Sequence, residues 1–184
     1  MHVRQFSLIV AVAGVVLGSV CPAPAAAKLA KTGTARTTFT AAGPTGLVIQ
    51  GKTADMTVTD DGTTVTITVP LNHLSTGSAL RDENINKALA VATYPTATLA
   101  VPRASLTFLD QKSPVGFAKG SFTLHGRTKT VQFHYQTTKT GTTYGVTAAL
   151  SFNMNDYGVK APTYLGVTVR PTVQIQTVFD AIDE

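Results

Sequence analysis

The residues able to do chemistry are few and scattered, and Arg81-Asp82 is the most suggestive pair among them. The planar fork of donors on an arginine suits a phosphate or a carbonyl, so Arg81 at a cavity mouth could hold a ligand's head group. The architectural alternative is a clamp. Arg81 or Asp82 would then fasten a helix start against strand ends, and the helix dipole favours the acid there. The clamp accounts for Asp82 without invoking a ligand, so it is the expected role of the pair. His73, His125 and His134 have no metal-ligand spacing, and no metal site is expected. Asp60 and Asp61 read as turn residues. Glu83 and Glu184 are the only glutamates, and no two carboxylates are spaced for glycoside chemistry. The sequence has no G-x-S-x-G, no S-x-x-K and no nucleotide-binding glycine fingerprint. No catalytic residue and no cofactor is therefore expected, which leaves binding or structural roles ahead of catalysis.

The single cysteine, Cys21, falls in a segment that reads as an export signal. Arg4 supplies a positive start. Ser7 to Val20 is uncharged and mostly apolar, and Ala25-Ala26-Ala27 forms an A-x-A cleavage site after Pro22 and Pro24. The apolar stretch is shorter than the ~20 residues that span a bilayer. Val20 before Cys21 fits lipidation of that cysteine poorly. Residues 1–27 are thus expected to be a cleaved signal peptide, the protein periplasmic or secreted, and stable membrane insertion absent. The 157 residues from 28 to 184 form one domain with no composition shift or internal repeat. They carry a formal charge of +4, too mild and too dispersed to imply a nucleic-acid partner. Whether two copies pair as a homodimer is left open.

The elements that must position any site are strands. Val65, Ile67, Val69 and Leu71 alternate with Thr64, Thr66, Thr68 and Pro70. Similar alternation runs through Phe122–Leu124, Val131–Tyr135, Tyr144–Phe152 and Leu165–Phe179. Period 2 with threonine between the apolar residues marks strands with one buried face. Asp60-Asp61-Gly62, Gly126 and Thr140-Gly141 supply hairpin turns, so neighbouring strands are antiparallel. One segment departs from the pattern. Leu80, Ile85, Ala88, Leu89 and Ala92 are spaced for a short amphipathic helix over 78–92, capped by Ser78 and stopped by Pro95. The expected fold is all-β and antiparallel, with about eight strands and one helix covering an end; alternation alone does not separate a barrel from a two-sheet sandwich.

The alternation names the inward residues. Val65, Ile67, Val69, Phe122, Leu124, Phe133, Tyr135, Tyr144, Val146, Ala148, Leu150, Phe152, Val167 and Val169 are the candidate ligand-lining set, with Arg81 as the polar candidate. Val131, Val173 and Ile175 also face inward. An eight-stranded barrel either fills itself with such side chains or holds one small ligand, and alternation cannot separate the two.

At the helix and its flanks the residues become distinctive. Thr76-Gly77 is followed by Arg81-Asp82 and, after the helix, by Tyr94-Pro95-Thr96-Ala97. Gly120, Leu124, Gly126, Lys129 and Val131 then form a patterned hairpin, and Asn155-Asp156-Tyr157-Gly158-Val159 follows. In this order the motifs resemble those of the YceI-like family across nearly the whole chain. The resemblance implies a lipocalin-like barrel, usually periplasmic, with an elongated apolar cavity for a hydrophobic small molecule. The class implied is a long isoprenoid lipid such as a polyprenyl phosphate or a quinone tail. The chain departs from the family at Asn84, where a histidine is usual, and at Ala88-Leu89-Ala90-Val91, where many members carry paired aromatics. The cavity entrance should differ accordingly.

Overall fold

The structure, a computed structural model, describes residues 28–109, 113–164 and 167–183. Eleven strands and one helix follow in order: β1 (Leu29–Ala42), β2 (Val48–Thr53), β3 (Thr57–Asp60), β4 (Thr64–Pro70), α1 (Ala79–Ala88), β5 (Thr96–Pro102), β6 (Val115–Leu124), β7 (Arg127–Thr140), β8 (Thr143–Asn153), β9 (Thr163–Tyr164), β10 (Val167–Thr168) and β11 (Thr172–Asp183). Nine of them form one antiparallel curled sheet in the order β2-β1-β11-β8-β7-β6-β5-β4-β3, and β9 and β10 pair as a separate short ribbon. The run read from Leu165 to Phe179 is therefore two structures, the ribbon and β11. Its residue Leu165, like the signal segment 1–27, lies outside the described residues.

The turns behave as their residues dictate. Leu124 pairs with Arg127, leaving a two-residue turn in which His125 (φ 51°) and Gly126 (φ 70°) both adopt positive φ. That is the type I′ geometry whose twist matches a hairpin. At the β3–β4 turn the Gly62 N–H donates to Asp60 Oδ1 at 2.8 Å, and the Thr63 and Thr64 N–H groups donate to Asp61 Oδ1.

The expected antiparallel barrel-like sheet with one short helix is what forms; its ladder stops short of closure, so β2 and β3 remain its two edges. The sheet instead curls until β3 meets β1, and a charged cluster fastens the seam. Asp60, at the end of β3, accepts from the Leu29 N–H at 2.8 Å and pairs with Arg103, which also pairs with Asp183 at the end of β11. The Asp60 side chain is fully buried, and those of Arg103 and Asp183 are partly buried. Asp60 thus does more than shape a turn. Arg103 follows β5 and draws the ends of β3, β1 and β11 together.

The helix is shorter than its apolar spacing suggests, ending at Ala88. Ala90 takes a left-handed conformation (φ 47°), and the Val91 N–H donates back to the Asn86 carbonyl at 3.0 Å. That closure ends the helix seven residues before Pro95 and turns Val91 into the core, where it is buried. The Ser78 side chain makes no capping hydrogen bond.

Candidate functional site

Strand register stacks the inner face in layers, because directly paired residues share a face. One layer runs Ala35, Phe179, Val146 and Thr137 across β1, β11, β8 and β7. The next runs Thr37, Thr177, Ala148 and Tyr135. Above it lie Phe39, Ile175, Leu150 and Phe133, then Ala41, Val173 and Phe152.

The lower layers are packed solid. Phe108, from the segment after β5, sits edge-on against Tyr135 and Tyr144, with ring centroids 5.5 and 5.4 Å away. The Tyr135 hydroxyl accepts from the Thr107 N–H at 3.1 Å and lies 2.7 Å from the Thr107 hydroxyl. Val65, Tyr135, Tyr144 and Val146, placed in the candidate lining set, are buried in this closed end and do not line a cavity.

The upper layers enclose a cavity of about 660 Å³, within the usual range for small-molecule sites. Its walls include Ile67, Val69, Phe122, Leu124, Phe133, Ala148, Leu150, Phe152 and Val169, all named from the alternation, together with Val173 and Ile175. Of Val167 the structure describes only the backbone, in β10. Several wall residues escaped the sequence reading, namely Thr37, Phe39, Ala41 and Ile49 from β1 and β2, and Ala97 and Leu99 from β5. Threonine and alanine on the inner face of β1 blur its alternation. Phe39 pairs with Gly51, where a Cβ would collide with the Phe39 ring, a relation that appears only once the strands are in register. Only glycine lets that ring lie across the neighbouring strand.

The helix caps the cavity with the stripe expected of it. Leu80, Ile85, Ala88 and Leu89 line the interior, although no residue of α1 is buried. Ala92 does not line it. The clamp expected at Arg81-Asp82 is made by Asp82 alone. Asp82 Oδ1 accepts from the Thr76 N–H at 2.8 Å and the Thr76 hydroxyl at 2.6 Å, and Oδ2 accepts from Ser75 at 3.2 Å. The Thr76 hydroxyl above all holds the Asp82 carboxyl below its ordinary range, and its backbone N–H, Ser75 and the Arg81 charge act in the same direction. Arg81 lines the mouth, is exposed, and makes no hydrogen bond or ion pair among the described residues. It is also the one charged residue among the described cavity-lining residues.

A pH dependence follows. The folded carboxyl titrates below its unfolded value, so its contribution is complete above that value and is lost as pH falls through the lowered one. Protection of the Thr76 amide from hydrogen exchange should hold from neutral pH down to the ordinary carboxylate range and collapse below it. Asp82→Ala should speed that exchange about tenfold at neutral pH and remove the acid step. An acid step that survives in Asp82→Ala would place the titrating group elsewhere.

The remaining candidates have structural partners. His73 Nδ1 lies 2.6 Å from Asp55 on the surface, and His134 stacks edge-on against exposed Phe117. His125 bridges to the Tyr157 carbonyl at 3.1 Å. Tyr157 is buried edge-on against Phe122 and Phe152, and that burial raises its phenol pKa. No group of His, Cys, Asp and Glu among the described residues could hold a metal ion.

A curled antiparallel sheet with one helix over an apolar interior is shared by several unrelated sequences. Here the sequence itself decides, for the model of the YceI-like domain matches residues 25–181. The chain belongs to the YceI-like family. Solved structures agree on the fold. A polyisoprenoid-binding domain from Saccharophagus degradans, described as implicated in plant cell wall breakdown, superposes with a TM-score of 0.69 at 18% identity, covering 86% of this chain and 99% of that one. BcnA of Burkholderia cenocepacia superposes at 0.64 with 14% identity, covering 79% and 95%. The YceI protein of Campylobacter jejuni superposes at 0.50 with 12% identity, covering 74% and 85%. No curated protein sequence matches this YceI-like chain significantly.

Proposed function

We propose that this YceI-like protein is an exported carrier. It holds the tail of an isoprenoid-like lipid, of the polyprenyl phosphate or quinone type, for transport, storage or sequestration, and does not transform it. The observation that carries the reading is the cavity wall: mostly apolar, with the Thr37 and Thr177 hydroxyls bonded to one another at its floor and, among the described residues, a single charged one, Arg81, at the mouth. Such a wall works by desolvation, at ~0.8 kcal/mol for each buried CH₂. A general acid or base must reach the reacting group, and the described lining offers no carboxylate, histidine or lysine to do so. That weighs against an enzyme acting on the lipid. The open volume weighs against a structural barrel with a packed interior. The name of the Saccharophagus domain supports the ligand class. Arg81, freed from the clamp by Asp82, is the residue to meet a head group. Periplasmic or secreted placement is part of the same reading and rests on the export signal read in residues 1–27.

Native mass spectrometry of the full chain expressed with export in a bacterial host tests this. The expected result is a polypeptide beginning at Lys28, or within two residues of it, carrying extra mass that extracts as a prenyl lipid. Bare polypeptide that also fails to take up an added polyprenol would refute the carrier reading. A lipid-modified Cys21 at the N-terminus would refute soluble export.

A further inference from the structure

We propose that the cavity mouth is a docking face for an anionic lipid bilayer. Leu47, Val48 and Leu80 would enter the interface, and Arg81, Lys160 and Arg170 would meet the head groups. The inference rests on reading the cavity as a lipid site and says where that lipid is exchanged.

Three large apolar side chains are left exposed around this one opening: Leu47 at 40%, Val48 at 60% and Leu80 at 56%. Leu47 and Leu80 also line the cavity, from the β1–β2 connection and from the first turn of α1, so the apolar rim is continuous with the apolar wall. Val48 pairs with Ala42, whose carbonyl accepts from the Arg170 N–H at 2.7 Å, which sets Arg170 beside the same rim. Lys160 lies between Val159 and Pro162, both wall residues. Lys160, Arg170 and Arg81 are all exposed. The acids on the helix are already engaged, Asp82 by Thr76 and Ser75, and Glu83 by Lys87 at 2.6 Å. Basic and apolar groups ringing an opening are complementary to an anionic interface, where each base adds to the attraction. The chemistry of the cargo asks for such a face. A long tail crossing water would expose every CH₂ to solvent at a cost, whereas contact between mouth and bilayer removes the crossing. No helix among the described residues is long and apolar enough to span a membrane.

The test is co-sedimentation of the exported protein with phosphatidylcholine vesicles, with and without about one-third phosphatidylglycerol, at roughly 0.05 M and 0.5 M NaCl. Wild-type protein should pellet with the anionic vesicles and be released by salt. Val48→Asp and the double variant Lys160→Glu/Arg170→Glu should each bind about tenfold more weakly or worse. These side chains are exposed and outside the wall, so lipid carried in the same samples, read by native mass spectrometry, should be unchanged. Absence of wild-type binding overturns the proposal. So does equal, salt-insensitive binding to neutral vesicles, or variants that bind like wild type. Retained lipid without vesicle binding would sink the docking face alone. Vesicle binding by a protein that never carries lipid would sink the carrier reading alone.

Discussion

Arg103→Leu should lower the free energy of unfolding by about 3–5 kcal/mol, the cost of leaving a buried charge without its partner. The substitution strands Asp60, whose side chain is fully buried, and Asp183 beside it. Asp60 would keep only the N–H groups of Leu29 and Gly62. The loss is concentrated at the one place where the sheet is not joined by a ladder, so the β1–β3 seam should open before the rest. Urea denaturation measures the total, and hydrogen exchange at Leu29 and Gly62 reports the seam. Asp60→Asn keeps an acceptor for one N–H and leaves the Arg103–Asp183 pair, and should cost less. The double variant Arg103→Leu/Asp60→Asn should recover part of the loss, because no unpaired charge then remains at Asp60. A change under about 1 kcal/mol in Arg103→Leu, the size of an exposed ion pair, would mean that the cluster does not hold the seam.

Ala148→Phe should abolish lipid retention in a protein that stays folded. Ala148 shares a layer with Thr37, Thr177 and Tyr135, the first layer above the packed end. The inner residues of that layer are small except for Tyr135, and that is why the cavity reaches so deep. A phenyl ring at Ala148 would raise the floor to the level of Leu150 and Phe133. Overpacking costs typically about 1–3 kcal/mol, less than a domain of this size commonly holds in reserve. Native mass spectrometry and a thermal melt on the same preparation separate the two effects. Undiminished lipid on a folded Ala148→Phe variant would show that the tail does not reach this layer. Val146→Leu, one layer lower and already buried, should leave retention unchanged.

Much of the cavity was legible before any coordinate. Ile67, Val69, Leu150 and Phe152 were placed by period 2 alone, and the structure puts all four on the cavity wall. The helix stripe of Leu80, Ile85, Ala88 and Leu89 was read from spacings of three and four and lies over the same opening. Both rest on local geometry, in which residue spacing fixes the direction of a side chain. The hairpins were legible for the same reason, since Asp-Gly and His125-Gly126 satisfy a backbone requirement within two residues. The helix end was not. Pro95 was the visible stop, but the chain turned earlier because Val91 had a place in the core, a gain that no local residue announces.

What the sequence determined, then, is the family through its ordered motifs, and which face of β4, β6, β7, β8 and β11 is inward. What only the tertiary structure decided is depth. Val65 and Ile67 have the same period, the same strand and nearly the same chemistry. Yet Val65 is packed and Ile67 lines the cavity, and the closed end is filled by side chains that meet from remote positions, as where Phe108 packs on Tyr135 and Tyr144. The seam between β1 and β3 is decided the same way, by Asp60 and Asp183 meeting Arg103 from positions 43 and 80 residues away. Period 2 is a property of neighbouring bonds and so can be read along the chain. Filling a barrel, or leaving it hollow, depends on which remote side chains reach the same layer, and that is fixed only when the register of every strand is set.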